Sequence, residues 1–316
     1  PSETTPQERR FLFTFFRTLW SGRGHVIEVG PFLGGTTRAM ALGMEANPRV
    51  SDGARLFTID RFRQYYAASQ LAAYVEPLLA KGLLTAADVE QVGASGRFLD
   101  LFTKLHAPHP YFRRVVALDR AVPSRPGEPP GDQPYLELER DMETEAVFVD
   151  GCKSWFGTKA FMREAGKVAV VGAHVIFQDF AWYTCFWLPV FVQVFSDHFR
   201  LVMHVDTTYV FSLTRPLDAA TVDARFPDVP ESLGPAALGD IMDTCVRDAA
   251  ARGDRFARVR HTMQKAAALA YVGQKDQART ILRGLSAESW AAGHQGVLGA
   301  AMKAPTYRPD GAVTLD

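Results

Sequence analysis

The sequence predicts an α/β fold: a parallel sheet with helices on both faces, followed by a helical C-terminal region. Three observations point there. Short apolar runs alternate with stretches of helical composition, the pattern of strand–helix–strand units. The runs are continuously apolar, as strands buried on both faces are. A glycine-rich turn, Gly30-Pro31-Phe32-Leu33-Gly34-Gly35, follows the first run and opens a helix.

Residues 26–29 form the first strand and residues 37–46 the helix after the turn. Residues 56–59, 115–118, 146–149 and 175–177 form four further strands. Asp60, Asp119 and Asp150 follow directly on three of them, and Asp179 lies just past the last. In an open parallel sheet, ligands bind outside the carboxyl ends of the strands. Glu28, Asp60, Asp119, Asp150 and Asp179 are therefore expected on one rim, although such acids also cap helices, Asp119 above all. Residues 61–112 separate the second and third strands, with helices expected over 67–83 and 86–105. This insert reads as a lid, a substrate-selecting element or plain decoration. Residues 123–134, rich in Pro and Gly, read as a loop.

Residues 173–195 read as a buried strand followed by a buried helix. His174, Gln178, Asp179 and Pro189 interrupt them too often for a bilayer span. Farther on, Leu238, Ile241, Met242, Cys245, Val246 and Ala249 recur at helical spacing. Residues 256–272 and 275–285 form a helix pair around Gly273-Gln274, similar to a single tetratricopeptide-type hairpin; one copy makes no solenoid. Arg252, Arg255, Arg258 and Arg260 read as a solvated helix face. The expected organisation is a domain over 1–216, carrying the insert 61–112, and a helical region over 217–316.

Composition narrows the function classes. The chain has 316 residues, and 35 Lys plus Arg balance 35 Asp plus Glu. No global field holds a polyanion, so nucleic acid is not an expected partner. Residues 1–10 carry no signal-peptide core. Cys152, Cys185 and Cys245 suit neither a disulfide framework nor a metal finger, and a reducing compartment, the cytoplasm, is expected. No membrane association is expected, and a homodimer is the commonest assembly for such a chain.

The turn decides between cofactors. A dinucleotide fingerprint needs a small residue where the backbone meets the pyrophosphate. Phe32 stands there, and Pro31 removes a backbone donor, which disfavours a nicotinamide oxidoreductase. No Gly-Lys-Ser/Thr follows, so a P-loop is excluded. S-adenosylmethionine has no phosphate. Glu28 can meet its ammonium group, Gly30 and Gly34 allow close backbone approach, and Asp60 can accept both ribose hydroxyls.

On these residues, from Glu28 through Thr36 and Thr37 to Asp60 and the later strand ends, the sequence resembles class I S-adenosylmethionine-dependent methyltransferases. The resemblance covers residues 24–214 and implies a Rossmann-like sheet with helices on both faces, plus the C-terminal helical appendage. It implies that Glu28, Gly30, Gly34 and Thr36 line the methionine side, that Asp60 holds the ribose, and that Asp119 lies near adenine. Asp150 counts with the cofactor-binding residues.

A second constellation, Asp150-Gly151-Cys152-Lys153-Ser154-Trp155 with Gln178-Asp179-Phe180, ends the fourth and fifth strands. It resembles the catechol O-methyltransferase-like group and its natural-product and sugar relatives. That resemblance implies that Asp150 and Asp179 bind magnesium and that Lys153 is the general base on an acceptor hydroxyl. The sequence departs from the group at Phe180, where Asn or Asp is usual; Gln178 could supply a neutral oxygen instead. Trp155, Phe180 and Trp182 are expected to wall the pocket of a small-molecule acceptor, with Tyr65, Tyr66 and Tyr183 nearby. His174 reads as structural, and Cys152 lacks the His–Asp partners of a nucleophile. Two readings compete with O-methyl transfer: metal-independent transfer to nitrogen or carbon, and a non-catalytic scaffold whose C-terminal helices bind a protein.

Overall fold

The computed structural model describes residues 4–63 and 68–315. The chain divides into two compact units. One comprises Pro1–Val122, Pro130–Gly151 and Val168–His174; the other comprises Pro123–Pro129, Cys152–Lys167 and Val175–Asp316.

The first unit begins with a helix that the sequence reading lacks, α1 (Pro6–Thr18). Its signal is a capping box: the Glu8 amide donates to Thr5 Oγ1 (3.1 Å), and the Thr5 amide donates back to Glu8 Oε2 (2.9 Å). Leu12, Phe15 and Phe16 then share one buried face. Next come β1 (His25–Val29), α2 (Gly35–Glu45) and β2 (Leu56–Asp60). The insert supplies α3 (Ala68–Ala80), α4 (Ala86–Ser95) and α5 (Leu99–His106). The single helix expected over 86–105 is thus two. Gly96 takes a left-handed φ of 65° and ends α4, and the Phe98 amide bonds the Phe62 carbonyl (2.8 Å) before α5 starts. The unit continues with β3 (Val115–Asp119) and β4 (Thr144–Val149). β1 runs parallel to both β2 and β4, and β2 runs parallel to β3.

The second unit holds α6 (Trp155–Val168), whose last residue falls in the first unit, and the end of β5 (Ala169–Phe177). The expected strand and helix after residue 173 are present as β5 and α7 (Trp187–Val194). β6 (Phe199–Val205) and β7 (Thr208–Leu213), an antiparallel hairpin, are absent from the sequence reading. Arg200 and His204 break the apolar run of β6, and the turn depends on Asp206 in a left-handed conformation (φ 51°) instead of a glycine. The remaining elements are α8 (Ala219–Arg225), α9 (Gly234–Ala251), α10 (Arg255–Tyr271), α11 (Lys275–Ala287) and α12 (Gln295–Lys303), then the hairpin β8 (Thr306–Arg308) and β9 (Gly311–Val313). Val259, Met263, Leu269, Leu282 and Leu298 form their common core with Tyr183.

The large sheet has seven strands in the order β3-β2-β1-β4-β5-β7-β6. Crossovers between parallel neighbours, helical cover and the helical C-terminal region agree with the predicted α/β class. No helix among the described residues is long and apolar enough to cross a membrane.

Candidate functional site

The glycine turn is built by its neighbours. Glu28 is fully buried, and its two carboxylate oxygens accept from the Thr36 and Thr37 hydroxyls (2.6 Å each) at the start of α2. Burial pushes Glu28 up to about 7, against the lowering effect of these hydroxyls. The sequence sets Glu28 against a ligand's ammonium group and gives Thr36 a cofactor contact; the structure uses both to tie the end of β1 to the start of α2. Gly30 is left-handed (φ 84°), and a Cβ there would lie 2.4 Å from the Gly151 amide nitrogen. Glycine is required because the ends of β1 and β4 touch, with the Asp150 and Gly151 amides donating to the Val29 carbonyl (3.0 and 2.7 Å). Asp150 is partly exposed at this junction.

Gly34 (φ 80°) faces His106, a residue that the sequence reading does not single out. The buried His106 ring donates from Nε2 to the Leu33 carbonyl (2.9 Å) and accepts at Nδ1 from the Tyr111 hydroxyl (2.7 Å), the tautomer that this network selects. Burial pushes its pKa down to about 4, so the ring is neutral near pH 7. The insert is thereby pinned to the turn through α5. Gly34→Ala would place a Cβ 2.0 Å from His106 Nε2 and force an L side chain into left-handed backbone. The expected loss is about 2–4 kcal/mol, seen as a lower melting temperature. Adding His106→Ala should cost less than the two single losses summed, because the clash is shared; additive losses would refute the coupling.

Asp60 and Asp119 end neighbouring parallel strands and stand opposite one another in register. Asp60 Oδ1 accepts from the Phe62 amide (2.8 Å). Loss of water pushes Asp60 up to about 6, with the Asp119 charge adding to the rise. Asp119 is ion-paired to Arg97, yet its Oδ1 is buried with no hydrogen-bond partner among the described residues. A buried acceptor is costly to leave unmade, so this atom fits a ligand hydroxyl or amino donor.

In the second unit, Lys153 sits just before α6. Ser154 caps that helix, its Oγ accepting from the Gly157 amide (3.0 Å). Lys153 Nζ is ion-paired to Asp179 Oδ2. The donor set around Asp179 does not fit magnesium. Asp179 already faces an ammonium, Gln178 Oε1 accepts from the Thr208 hydroxyl, and Phe180 offers no oxygen. Among the described residues, no group of three or more His, Cys, Asp or Glu converges to hold a metal ion.

Two pocket expectations are corrected. Trp155 is buried, stacks on Phe226 (4.2 Å) and donates from Nε1 to the Pro227 carbonyl (2.7 Å); it anchors the core. Phe180 is buried among Tyr209, Phe211 and His261. Trp182 has 38% of its surface exposed. Tyr183 belongs to the core of the C-terminal helices, and Tyr65 and Tyr66 lie outside the described residues. His174 packs edge-on against Phe15 (5.2 Å), a structural place. The arginine cluster is not uniformly solvated: Arg255 bonds the Ser289 and Trp290 carbonyls, Arg258 lies over Trp290, and Arg260 is buried.

Phe32, Phe62, Cys152 and Asp179 all have positive φ (49°, 46°, 57° and 59°), and each lies two or three residues past the carboxyl end of β1, β2, β4 or β5. Side-chain-bearing residues rarely adopt this conformation, and strain of this kind concentrates at functional sites.

No protein-family model and no curated protein matches the sequence. Solved structures with similarity include the O-methyltransferase NovP, at 16% identity with a TM-score of 0.39, covering 66% of this chain and 78% of that one. They include CalS11, a TDP-rhamnose 3'-O-methyltransferase of calicheamicin biosynthesis, at 13% identity with a TM-score of 0.39, covering 65% of this chain and 78% of that one. An O-methyltransferase from Bacillus cereus in complex with SAH has 13% identity and a TM-score of 0.37, covering 68% of this chain and 84% of that one. The strand order β3-β2-β1-β4-β5-β7-β6, ending in an antiparallel hairpin, is that of the Rossmann-like class I methyltransferase fold, and this chain has that fold.

Proposed function

We propose that the protein is an S-adenosylmethionine-dependent methyltransferase acting on a hydroxyl of a small molecule. The observation that carries this reading is the pair of carboxylates in register, Asp60 and Asp119, with Asp119 Oδ1 unpartnered among the described residues, two strands along the sheet from β1, whose end carries a left-handed glycine turn. A donor with vicinal hydroxyls and an amino-bearing ring brings a hydrogen for Asp119 Oδ1 and hydroxyls for the Asp60 carboxylate to accept. Glu28, through Thr36 and Thr37, holds the turn in shape, and Gly30 and Gly34 let its backbone pack close against Gly151 and His106. The donor supplies an electrophilic methyl group on a positively charged sulfur.

The chain's own residues position the acceptor and handle its proton. As methyl joins the acceptor oxygen, the sulfur keeps the bonding pair and the hydroxyl proton leaves for a base. Lys153, in its neutral form, is that base, and Asp179 orients it and stabilises the ammonium that results. No step is routed through a metal, because Asp179 Oδ2 already faces Lys153, Gln178 Oε1 accepts from Thr208 and Phe180 offers no oxygen. An acceptor held in line supplies much of the acceleration. A natural-product or sugar hydroxyl is the proposed target, and a reducing compartment, the cytoplasm, is the proposed location.

Calorimetric titration tests the reading. S-adenosylmethionine should bind saturably, NAD should not, and neither magnesium nor EDTA should change the result or the turnover. Saturable NAD binding, or no heat from S-adenosylmethionine, would overturn it; turnover abolished by EDTA would overturn its metal-free form.

A further inference from the structure

Arg260 is the least explained charge in the molecule. It lies on α10 and is 7% exposed, and its Nε and Nη1 have no hydrogen-bond partner among the described residues. A guanidinium stays charged in proteins, so burying it with unmade bonds is a large cost unless something outside the chain completes it. The Tyr209 hydroxyl is also buried and unpartnered, and it lies within electrostatic reach of Arg260.

The surroundings are assembled for this purpose by one residue. Gln264, one helical turn after Arg260, donates from Nε2 to the carbonyls of Phe180 (2.8 Å) and Trp182 (2.9 Å), and its Oε1 accepts from His261 Nδ1 (2.8 Å). This clamp docks α10 on the segment that follows β5. Arg260 then lies over the rings of Phe256 (5.2 Å) and Trp182 (5.6 Å), a cation–aromatic box. His204 stacks on Tyr209 (4.5 Å) and bonds Asp254 through Nε2 (3.0 Å), so the Asp254 carboxylate has a partner of its own.

We infer that Arg260 and Tyr209, beside the indole of Trp182, form a binding site for an anionic oxygen group, a carboxylate or a phosphate. Nε and Nη1 each bring an N–H that needs an acceptor, and the phenol adds a third donor for a charged oxygen group. The flat walls of Trp182 and Phe256 suit an aromatic body carrying the charge. The site stands on residues of the second unit alone and does not depend on the methyl donor proposed above.

The probes are benzoate, inorganic phosphate and the neutral benzamide, followed by calorimetry and by tryptophan fluorescence. Saturable binding of benzoate or phosphate to the wild-type chain is expected, with benzamide at least tenfold weaker. Arg260→Gln should weaken the bound anion tenfold or more, and Tyr209→Phe several-fold. Trp182→Phe should remove most of the fluorescence change while the heat of binding persists. Should Arg260→Gln fail to fold, Arg260→Lys keeps the charge, and its loss of the Nε and Nη1 donors should still weaken binding measurably. Benzoate binding more tightly than phosphate assigns the anion to an aromatic ligand, the reverse to a free or phosphate-bearing one; either upholds the site. Equal affinity in wild type and Arg260→Gln, equal binding of benzamide and benzoate, or no saturation by either anion overturns it. S-adenosylhomocysteine titrated in parallel reports separately on the donor site.

Discussion

Replacing Lys153 with Met should lower turnover by about 10²–10⁴-fold while leaving S-adenosylhomocysteine affinity unchanged. Lys153 is half exposed at the entrance to α6 and is held by Asp179. Its exposure at the helix entrance leaves its ammonium group accessible to a ligand. A methionine keeps the length and apolar stem of the side chain and removes only the amine. Asp179→Asn supplies the second half of the test. Taking away the neighbouring anion favours the neutral amine, so the ascending limb of the pH–rate profile, where the amine loses its proton, should move to lower pH. A phenol, hydroxybenzoate and nucleotide-sugar panel, read as S-adenosylhomocysteine release, is the assay. Turnover equal to wild type in Lys153→Met would remove that residue from the chemistry; an unmoved limb in Asp179→Asn would remove the coupling.

The second large effect is expected at the donor end. Asp60→Ala should weaken S-adenosylhomocysteine binding about 10–100-fold, the worth of one or two hydrogen bonds to a charged acceptor. Its carboxyl stands at about 6 in the free chain because water is excluded and Asp119 is opposite. Hydroxyl donors favour the ionised form, so binding should release a proton below that pH. Affinity in the wild-type chain should therefore fall as the pH is lowered from 7 to 5, and Asp60→Asn should flatten that dependence. Asp119→Asn keeps the shape and removes the like charge, lowering the Asp60 pKa and moving the dependence to more acidic pH. Calorimetry across the pH range decides both, and an Asp60→Ala affinity within twofold of wild type would refute the assignment.

How far the sequence leads is clearest at particular residues. The β1 turn, the strand-end acids Asp60, Asp119 and Asp150, and the C-terminal helices α9 to α11 follow from local patterns, because apolar runs, glycine turns and helical spacing are properties of neighbours in the chain. The capping box of α1 was equally readable as Thr5-x-x-Glu8. β6 was not readable, because Arg200 and His204 interrupt its apolar run, whereas β7 carries the buried run Tyr209-Val210-Phe211 and lacked only a strand partner to mark it as a hairpin. His106 and Arg260 carried no signal of their own: one is defined by the space over Gly34, the other by a docking that Gln264 makes across about 80 residues of chain.

The sequence by itself thus determined the α/β class, the turn and the acids at the strand ends, since these depend on the period of apolar residues and on backbone freedom. Only the tertiary structure decided what those groups do. It turned Glu28 and Thr36 into a strut, buried Trp155 and Phe180, paired Lys153 with Asp179, and left Asp119 Oδ1 and Arg260 Nε and Nη1 without hydrogen-bond partners among the described residues. The physical reason is that desolvation and hydrogen-bond completion depend on which distant segments arrive at a side chain, and residue type and spacing along the chain do not encode that.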